Sequence, residues 1–75
     1  MFFKKKKKQE PKIWAKLNEK MAAAQANGER VFYCPIYGRE VEDMKMWADS
    51  CGVLYLTDHI TDNIVVYKFW GYTVD

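Results

Sequence analysis

The sequence predicts an α+β fold of two layers, in which two helices cover one face of a small three-stranded mixed sheet. Three observations predict it. An apolar stripe of helical period follows Pro11, a second one precedes Gly52, and three β-rich runs lie after the stripes. The last two runs form a C-terminal β-hairpin, so the predicted element order is α-β-α-β-β.

The first helix is expected to begin at Pro11, because proline suits the first helical turn, and to end at Asn27 and Gly28. Its apolar positions fall within a stripe about 100° wide. They are Ile13, Trp14, Leu17, Met21 and Ala24. This stripe predicts the face that packs on the sheet.

The first strand is expected over residues 30–34, followed by Pro35, which marks a strand end or an edge position. The second helix is expected over residues 40–50, with Gly52 as its stop. Its apolar side is formed by Val41, Met44, Trp47, Ala48 and Cys51. Cys51 on this side and Cys34 in the first strand are both predicted to be small buried hydrophobic residues.

The C-terminal hairpin is expected to pair residues 53–57 with residues 64–70 across a polar loop at residues 58–63. In the second hairpin strand, alternation turns Val65, Tyr67 and Phe69 inward, and Val66, Lys68 and Trp70 outward. Tyr55 and Thr57 are expected to point outward as well. Two strand orders remain open, with either the third or the second strand in the centre.

Electric charge divides this chain unequally. Residues 1–20 carry eight lysines and two glutamates, a net of +6, whereas residues 21–75 carry four basic and eight acidic residues, a net of −4. Residues 1–9 are predicted to be a disordered basic arm, because adjacent lysines repel one another and little apolar area stands beside them. Residues 10–75 are predicted to form one small domain.

A basic arm suits nucleic acid, an anionic membrane or an acidic protein, and it also suits a solvated tail that only aids solubility. The candidate nucleic-acid-binding residues combine the arm with one flank of the first helix. They are Lys4, Lys5, Lys6, Lys7, Lys8, Lys12, Lys16 and Lys20. Nucleic-acid binding through these lysines is the alternative function that the sequence supports.

The leading function predicted from the sequence is non-enzymatic docking on a protein target. A sheet covered by helices on one face leaves aromatic residues on the other, and tyrosine and tryptophan are enriched at binding hot spots. The acidic rim of the second helix offers another contact. The candidate residues are Tyr55, Val66, Lys68, Trp70, Glu42, Asp43 and Met46. A homodimer through the exposed sheet aromatics is a further prediction.

Catalytic and metal chemistry find little support. Cys34, Cys51, Asp58 and His59 lack the spacing of a zinc site, and His59 with its neighbouring carboxylates makes no nucleophile or triad. We therefore predict no enzyme activity, no metal and no cofactor. No apolar run approaches the length of a membrane span and no signal peptide is seen, so a cytoplasmic protein with reduced cysteines is expected.

Residues 14–70 resemble short accessory proteins of bacteriophages and mobile elements. The shared marks are an A-x-x-N-G helix end at residues 24–28, a W-A-x-x-x-G helix end at residues 47–52, and a final hairpin that closes in an aromatic residue, Trp70. The pentalysine arm is not part of that pattern. The resemblance implies an α-β-α-β-β domain and a cytoplasmic accessory role, often the binding of host or phage proteins such as components of bacterial defence systems.

Overall fold

The computed structural model describes residues 10–74. Its elements are α1 (Lys12–Ala26), β1 (Val31–Tyr37), a 3₁₀ turn (Gly38–Glu40), α2 (Val41–Cys51), β2 (Leu54–Thr61) and β3 (Ile64–Trp70). The predicted α+β class and element order are confirmed. The disordered arm predicted at residues 1–9 lies outside the described residues.

The sheet has the order β1-β3-β2, which confirms a central β3. Both neighbouring pairs are antiparallel. The sheet is therefore antiparallel throughout, and the prediction of a mixed sheet is wrong. The reason is topological. β1 and β2 run in the same direction, with the helix α2 between them in sequence, but β3 separates them and pairs antiparallel with each.

Strand β1 is longer than predicted, because it continues through Pro35 to Tyr37. Proline removes one ladder donor, which an edge strand tolerates on its unpaired side. The strand then turns into α2 through the 3₁₀ turn. There Glu40 Oε1 accepts the backbone N–H of Tyr37 at 3.0 Å, and Gly38 N–H donates to the carbonyl oxygen of Asn63 at 3.1 Å.

The hairpin loop predicted at residues 58–63 is wrong. Strand β2 continues to Thr61, which pairs with Ile64, so the turn contains only Asp62 and Asn63. Asp62 takes a positive φ of 47°, a conformation that aspartate tolerates better than most residues. Between Thr57 and His59 the pairing with β3 shifts by one residue, which places a β-bulge at Asp58.

The core lies between the helices and one face of the sheet. Helix α1 contributes Ile13, Leu17 and Ala24, as its stripe predicts. The buried residues of the other elements are Phe32, Cys34, Ile36, Met44, Trp47, Ala48, Val53, Tyr67 and Phe69. The predicted inward residues of β3 are thereby placed correctly, with Val65 half-buried against the same core. Phe69 stands at its centre, stacked on Phe32 at 4.9 Å between ring centroids.

Cys51 is exposed, contrary to the prediction that both cysteines are buried. Its helical angle belongs to the apolar stripe of α2, but it is the last residue of that helix. Gly52, with a φ of 71°, then redirects the chain toward β2, and no described element covers the thiol. Cys34 is fully buried as predicted.

Candidate protein-binding surface

The sheet face opposite the helices, here called the outer face, is made of the strand positions that alternate with the buried ones. Register places its residues in four rows across the sheet. From one end to the other the rows are Val31, Trp70 and Leu54; Tyr33, Lys68 and Leu56; Pro35, Val66 and His59; and Tyr37, Ile64 and Thr61. Most of these side chains are aliphatic or aromatic, although no described element covers them.

Several outer-face side chains are largely exposed. Leu56 is 61% exposed, Leu54 54%, and Tyr33 47%, whereas a monomeric protein of this size usually buries such residues or scatters them singly. Leu54 and Leu56 are neighbours on the same face of β2 and Trp70 lies beside Leu54, whereas Lys68 lies between Leu56 and Tyr33. The outer face is therefore a largely apolar surface with Lys68 between its exposed side chains, on a hydrogen-bonded scaffold.

The charges on and around the outer face have both signs: Lys68, Arg30 and Arg39 are positive, and Asp58 at the bulge and Asp62 at the turn are negative. Lys68 lies with its Nζ 5.9 Å from the centroid of the Trp70 ring, and Arg39 Cζ lies 5.1 Å from that of Tyr37. Arg30 borders a groove of about 440 Å³ that Lys68 and Trp70 also line. The Lys68–Trp70 and Arg39–Tyr37 distances are within the range of a cation–π interaction, which favours a defined position of each ring.

The structure places Val66, Lys68 and Trp70 on the outer face, as predicted, but not Tyr55. Tyr55 faces the helices, where its ring meets that of Tyr67 edge-on at 5.8 Å, and it pairs with Phe69 in the register. The bulge at Asp58 causes this difference. Without it, counting back from the two-residue turn would turn Tyr55 outward, since one extra residue reverses the facing of every residue before it.

The remaining predicted residues divide between two places on α2. Glu42 and Met46 line a groove of about 420 Å³ between α2 and β2, together with Tyr55. Asp43 instead lies toward α1, where its backbone carbonyl oxygen accepts the indole N–H of Trp14 at 2.8 Å. The predicted protein-binding residues are thus not one cluster: three lie on the outer face, three line the groove, and Asp43 belongs to neither.

The sequence reasoning missed Leu54 and Leu56, which project from the outer face in place of Tyr55 and Thr57. Residues 53–57 are apolar at both alternating positions up to Thr57, so the pattern alone does not decide which set is buried. A bulge signal, such as Asp58 interrupting an otherwise β-rich segment, is the only hint that the sequence holds.

Of the candidate nucleic-acid-binding residues, Lys4 to Lys8 lie outside the described residues. Lys12 and Lys16 are exposed on α1 and Lys20 is half-buried. Lys16 lines a small pocket of about 80 Å³ with Pro35 and Tyr37, which places the basic flank of α1 beside the β1 edge of the sheet.

The reactive side chains form no chemical site in the part of the chain that the structure describes. No group of three His, Cys, Asp or Glu residues could hold a metal ion there. His59 Nδ1 lies 2.7 Å from Asp58 Oδ2, an exposed pair at the bulge. Burial raises the pKa of the Cys34 thiol; Lys16 and Lys20 oppose this effect and Glu40 adds to it. A buried thiol with a raised pKa is a poor nucleophile.

Fold and surface together define a small α+β domain with helices on one sheet face and a largely apolar face, with Lys68 near its centre, on the other. No protein-family model, no curated protein and no solved structure matches the chain. Neither helix of residues 10–74 has the length and apolar character needed to cross a membrane.

Proposed function

We propose that this protein is a non-enzymatic binding module that docks on a target protein through its outer sheet face and acts by occluding the surface it covers. The observation that supports this most directly is the largely apolar surface around Lys68 and Trp70, with Leu54 and Leu56 more than half exposed. Burying these side chains in a complex is favourable, because each fully buried leucine contributes about 1.5–3 kcal/mol.

The outer face is large enough for the centre of a protein interface but not for a whole one. Three strands about 4.8 Å apart, each about seven residues of 3.4 Å long, present a plan area of roughly 300 Å². A standard interface buries about 800 Å² on each partner, with an apolar centre and a polar rim. The outer face supplies such a centre, and Arg30 and Arg39 supply part of the rim.

The charge of the outer face favours a different protein over a second copy of this chain. A twofold pairing of the face on itself would bring Lys68 near its own copy, and like charges juxtaposed in an interface are unfavourable. An acidic rim on the partner would instead complement Lys68, Arg30 and Arg39. The homodimer predicted from the sequence is therefore the less favoured use of the same surface.

The setting that we propose is cytoplasmic, and the resemblance to phage accessory proteins suggests a host defence or replication component as the target. Both cysteines are free thiols, which suits a reducing compartment. Docking by occlusion needs no catalytic group, and it places few demands on a chain of this size beyond a rigid face.

The test compares Leu56→Glu with Ala22→Glu, a matched control on the exposed side of α1. Both add one carboxylate to the surface, but only the first lies on the outer face. We expect partners recovered by affinity capture with the full chain to be lost with Leu56→Glu and kept with Ala22→Glu. Equal recovery with both variants would contradict docking through the outer face.

A second candidate, nucleic-acid binding, is favoured by the position of Lys16 beside Tyr37, whose ring also lies under Arg39. Cations next to exposed aromatic rings resemble the surfaces on which single strands stack. Binding of labelled single-stranded DNA and RNA is measured at about 0.05 M and about 0.2 M salt, over which a phosphate-binding protein loses much of its affinity. Absence of binding at the lower salt excludes this candidate.

A further inference from the structure

We propose that the groove between α2 and β2 binds the N-terminal lysine segment of the same chain, with the apolar residues Phe2 or Phe3 on the groove floor and lysines against its acidic wall. This inference goes beyond the proposed function, because it concerns a separate surface and a contact within one molecule. Residues 1–9 lie outside the described residues, and the inference is supported by the groove, the charges and the length of chain available.

The groove combines an apolar floor with an acidic wall. Met46 from α2, 58% exposed, and Tyr55 from the helix-facing side of β2 form its floor, and Leu54, whose side chain belongs to the outer face, stands at its rim. Its volume of about 420 Å³ is ample for a phenylalanine ring. An exposed methionine facing a half-buried aromatic ring indicates that an apolar group fits between them.

Two carboxylates on α2 face this groove. Glu42 and Asp49 stand two helical turns apart on the same side of the helix, and Lys45 between them is the one cation among the described residues that line the groove. The lining therefore carries a net negative charge. Lys4 to Lys8 are the densest positive charge of the chain, and they directly follow its two N-terminal phenylalanines. A segment of that composition complements both the floor and the wall.

The N-terminal segment can reach the groove. The indole N–H of Trp14, in the first turn of α1, donates to the backbone carbonyl oxygen of Asp43 in the first turn of α2 at 2.8 Å. The two helices thus begin side by side, and Glu42 is the neighbour of Asp43. From Glu10 back to Phe3 the chain spans up to about 23 Å. The axes of packed helices lie about 8–10 Å apart and a helix with its side chains is about 10–12 Å wide, so an extended segment that starts at α1 can cross α2 and reach the groove.

Covalent attachment favours this occupant over a separate one. A tethered segment acts at an effective concentration in the millimolar range when its length matches the span. Even a weak contact is then substantially populated, and salt weakens it, because exposed charge pairs are screened. Leu54 belongs to both the groove and the outer face, so a bound segment would stand at the border of the proposed docking surface.

The test uses the full chain and nuclear magnetic resonance at about 0.1 M and about 1 M salt, over which the Debye length falls from about 10 Å to about 3 Å. In the native chain we expect the amide signals of Met46, Leu54 and Tyr55 to shift between the two salt conditions. We also expect nuclear Overhauser contacts from the Phe2 or Phe3 ring to the Met46 methyl group at low salt.

Two matched double variants carry the comparison. Glu42→Gln with Asp49→Asn removes the acidic wall, and Glu19→Gln with Asp62→Asn removes the same charge from exposed positions outside the groove. The salt-dependent shift should shrink by about threefold or more in the first and persist in the second. Equal shifts in both, or no contact from Phe2 or Phe3, would overturn the proposal. Groove shifts that grow with protein concentration would also overturn it, since the occupant would then be a second copy.

Discussion

The indole N–H of Trp47 donates a hydrogen bond of 2.8 Å to Asn18 Oδ1, and this bond joins α2 to α1. The bond from Trp14 to Asp43 spans the same sequence separation of 29 residues. Residue 14 contacts residue 43 and residue 18 contacts residue 47, so the residue numbers increase in the same direction along both helices. The two helices therefore run parallel on the sheet. Each helix has one tryptophan that donates a hydrogen bond to the other helix, and the two bonds fix the relative position of the helices along their axes.

The first prediction concerns the loss of this acceptor. Trp47 is only 1% exposed, so Asn18→Ala leaves the N–H of a buried ring without its protein partner, although Asn18 itself is exposed. We expect a loss of about 1–2 kcal/mol in the free energy of unfolding, within the range for an unsatisfied buried donor. Thermal or urea unfolding measures it, with the neighbouring exposed Glu19→Ala as control.

Asn18→Asp distinguishes a lost hydrogen bond from a lost helix contact. Aspartate keeps an oxygen at the same place, so it should restore most of the stability that alanine removes. If the alanine and aspartate variants unfold alike, the bond to Trp47 contributes little to the packing of the helices.

The sequence predicted the helices and the central strand well, because their patterns are strong. The stripe of α1 and the alternation of β3 each assign a face without reference to any other element. The facing of β2 could not be predicted in this way. It depends on the bulge at Asp58, which is a property of the pairing between two strands, and both alternating positions before it are apolar. For the candidate surface, this exchanged Tyr55 for Leu54 and Leu56.

Cys51 illustrates a second limit. A helical stripe gives the angle of a residue around the axis but not the extent of the partner that covers it. At the end of α2 the cover stops, and the thiol is exposed although its angle is that of a core residue. Sequence patterns therefore predict the middle of an element better than its end.

The second prediction compares two leucines. Leu17 is fully buried in α1, whereas Leu56 is 61% exposed on the outer face. We expect Leu17→Ala to cost about 2–5 kcal/mol, because it leaves a cavity in a core this small. Leu56→Ala should change the free energy of unfolding by no more than about 0.5 kcal/mol. Urea unfolding of both variants measures these changes. Similar losses in the free energy of unfolding for the two variants would contradict the placement of Leu56 on the outer face.

The third prediction concerns the end of α2. Gly52 has a φ of 71° and open space where a Cβ would stand, so Gly52→Ala introduces backbone strain without a clash. We expect a cost of about 1 kcal/mol, and a smaller one for Gly52→Asn, since asparagine tolerates this conformation better.

Gly38→Ala is the matched control, because Gly38 has no positive φ and its nearest neighbour for a Cβ is the Asn63 carbonyl oxygen at 4.0 Å. It should be nearly neutral in the same unfolding experiment. Equal losses at both glycines would show that the left-handed turn after α2 is not the cause.

The fourth prediction concerns the two thiols. Cys51 is exposed and Cys34 is fully buried, so iodoacetamide should modify one cysteine in the folded chain and both after unfolding in guanidinium chloride, as mass spectrometry would count them. Cys51→Ser should leave the folded chain unmodified. Modification of Cys34 at the same rate as Cys51 would contradict the placement of β1 against the core.

The pH dependence of that reaction follows from the partial desolvation of the Cys51 thiol by the end of α2, which raises its pKa above its ordinary value although the residue is exposed. The thiolate is the reactive form, so Cys51 should react more slowly at pH 8 than the same residue in the unfolded chain, and its rate should climb about tenfold per pH unit until the raised pKa is passed.

Burial raises the pKa of the Cys34 thiol as well, and this shift affects the stability of the fold. The stabilisation from the neutral Cys34 thiol is therefore complete below the pKa that this thiol has in the unfolded chain, and it is lost as the pH rises through the higher pKa in the folded chain. Unfolding of Cys34→Ala measured from pH 7 upward should show a shallower alkaline loss than the native chain, and parallel curves would contradict this assignment.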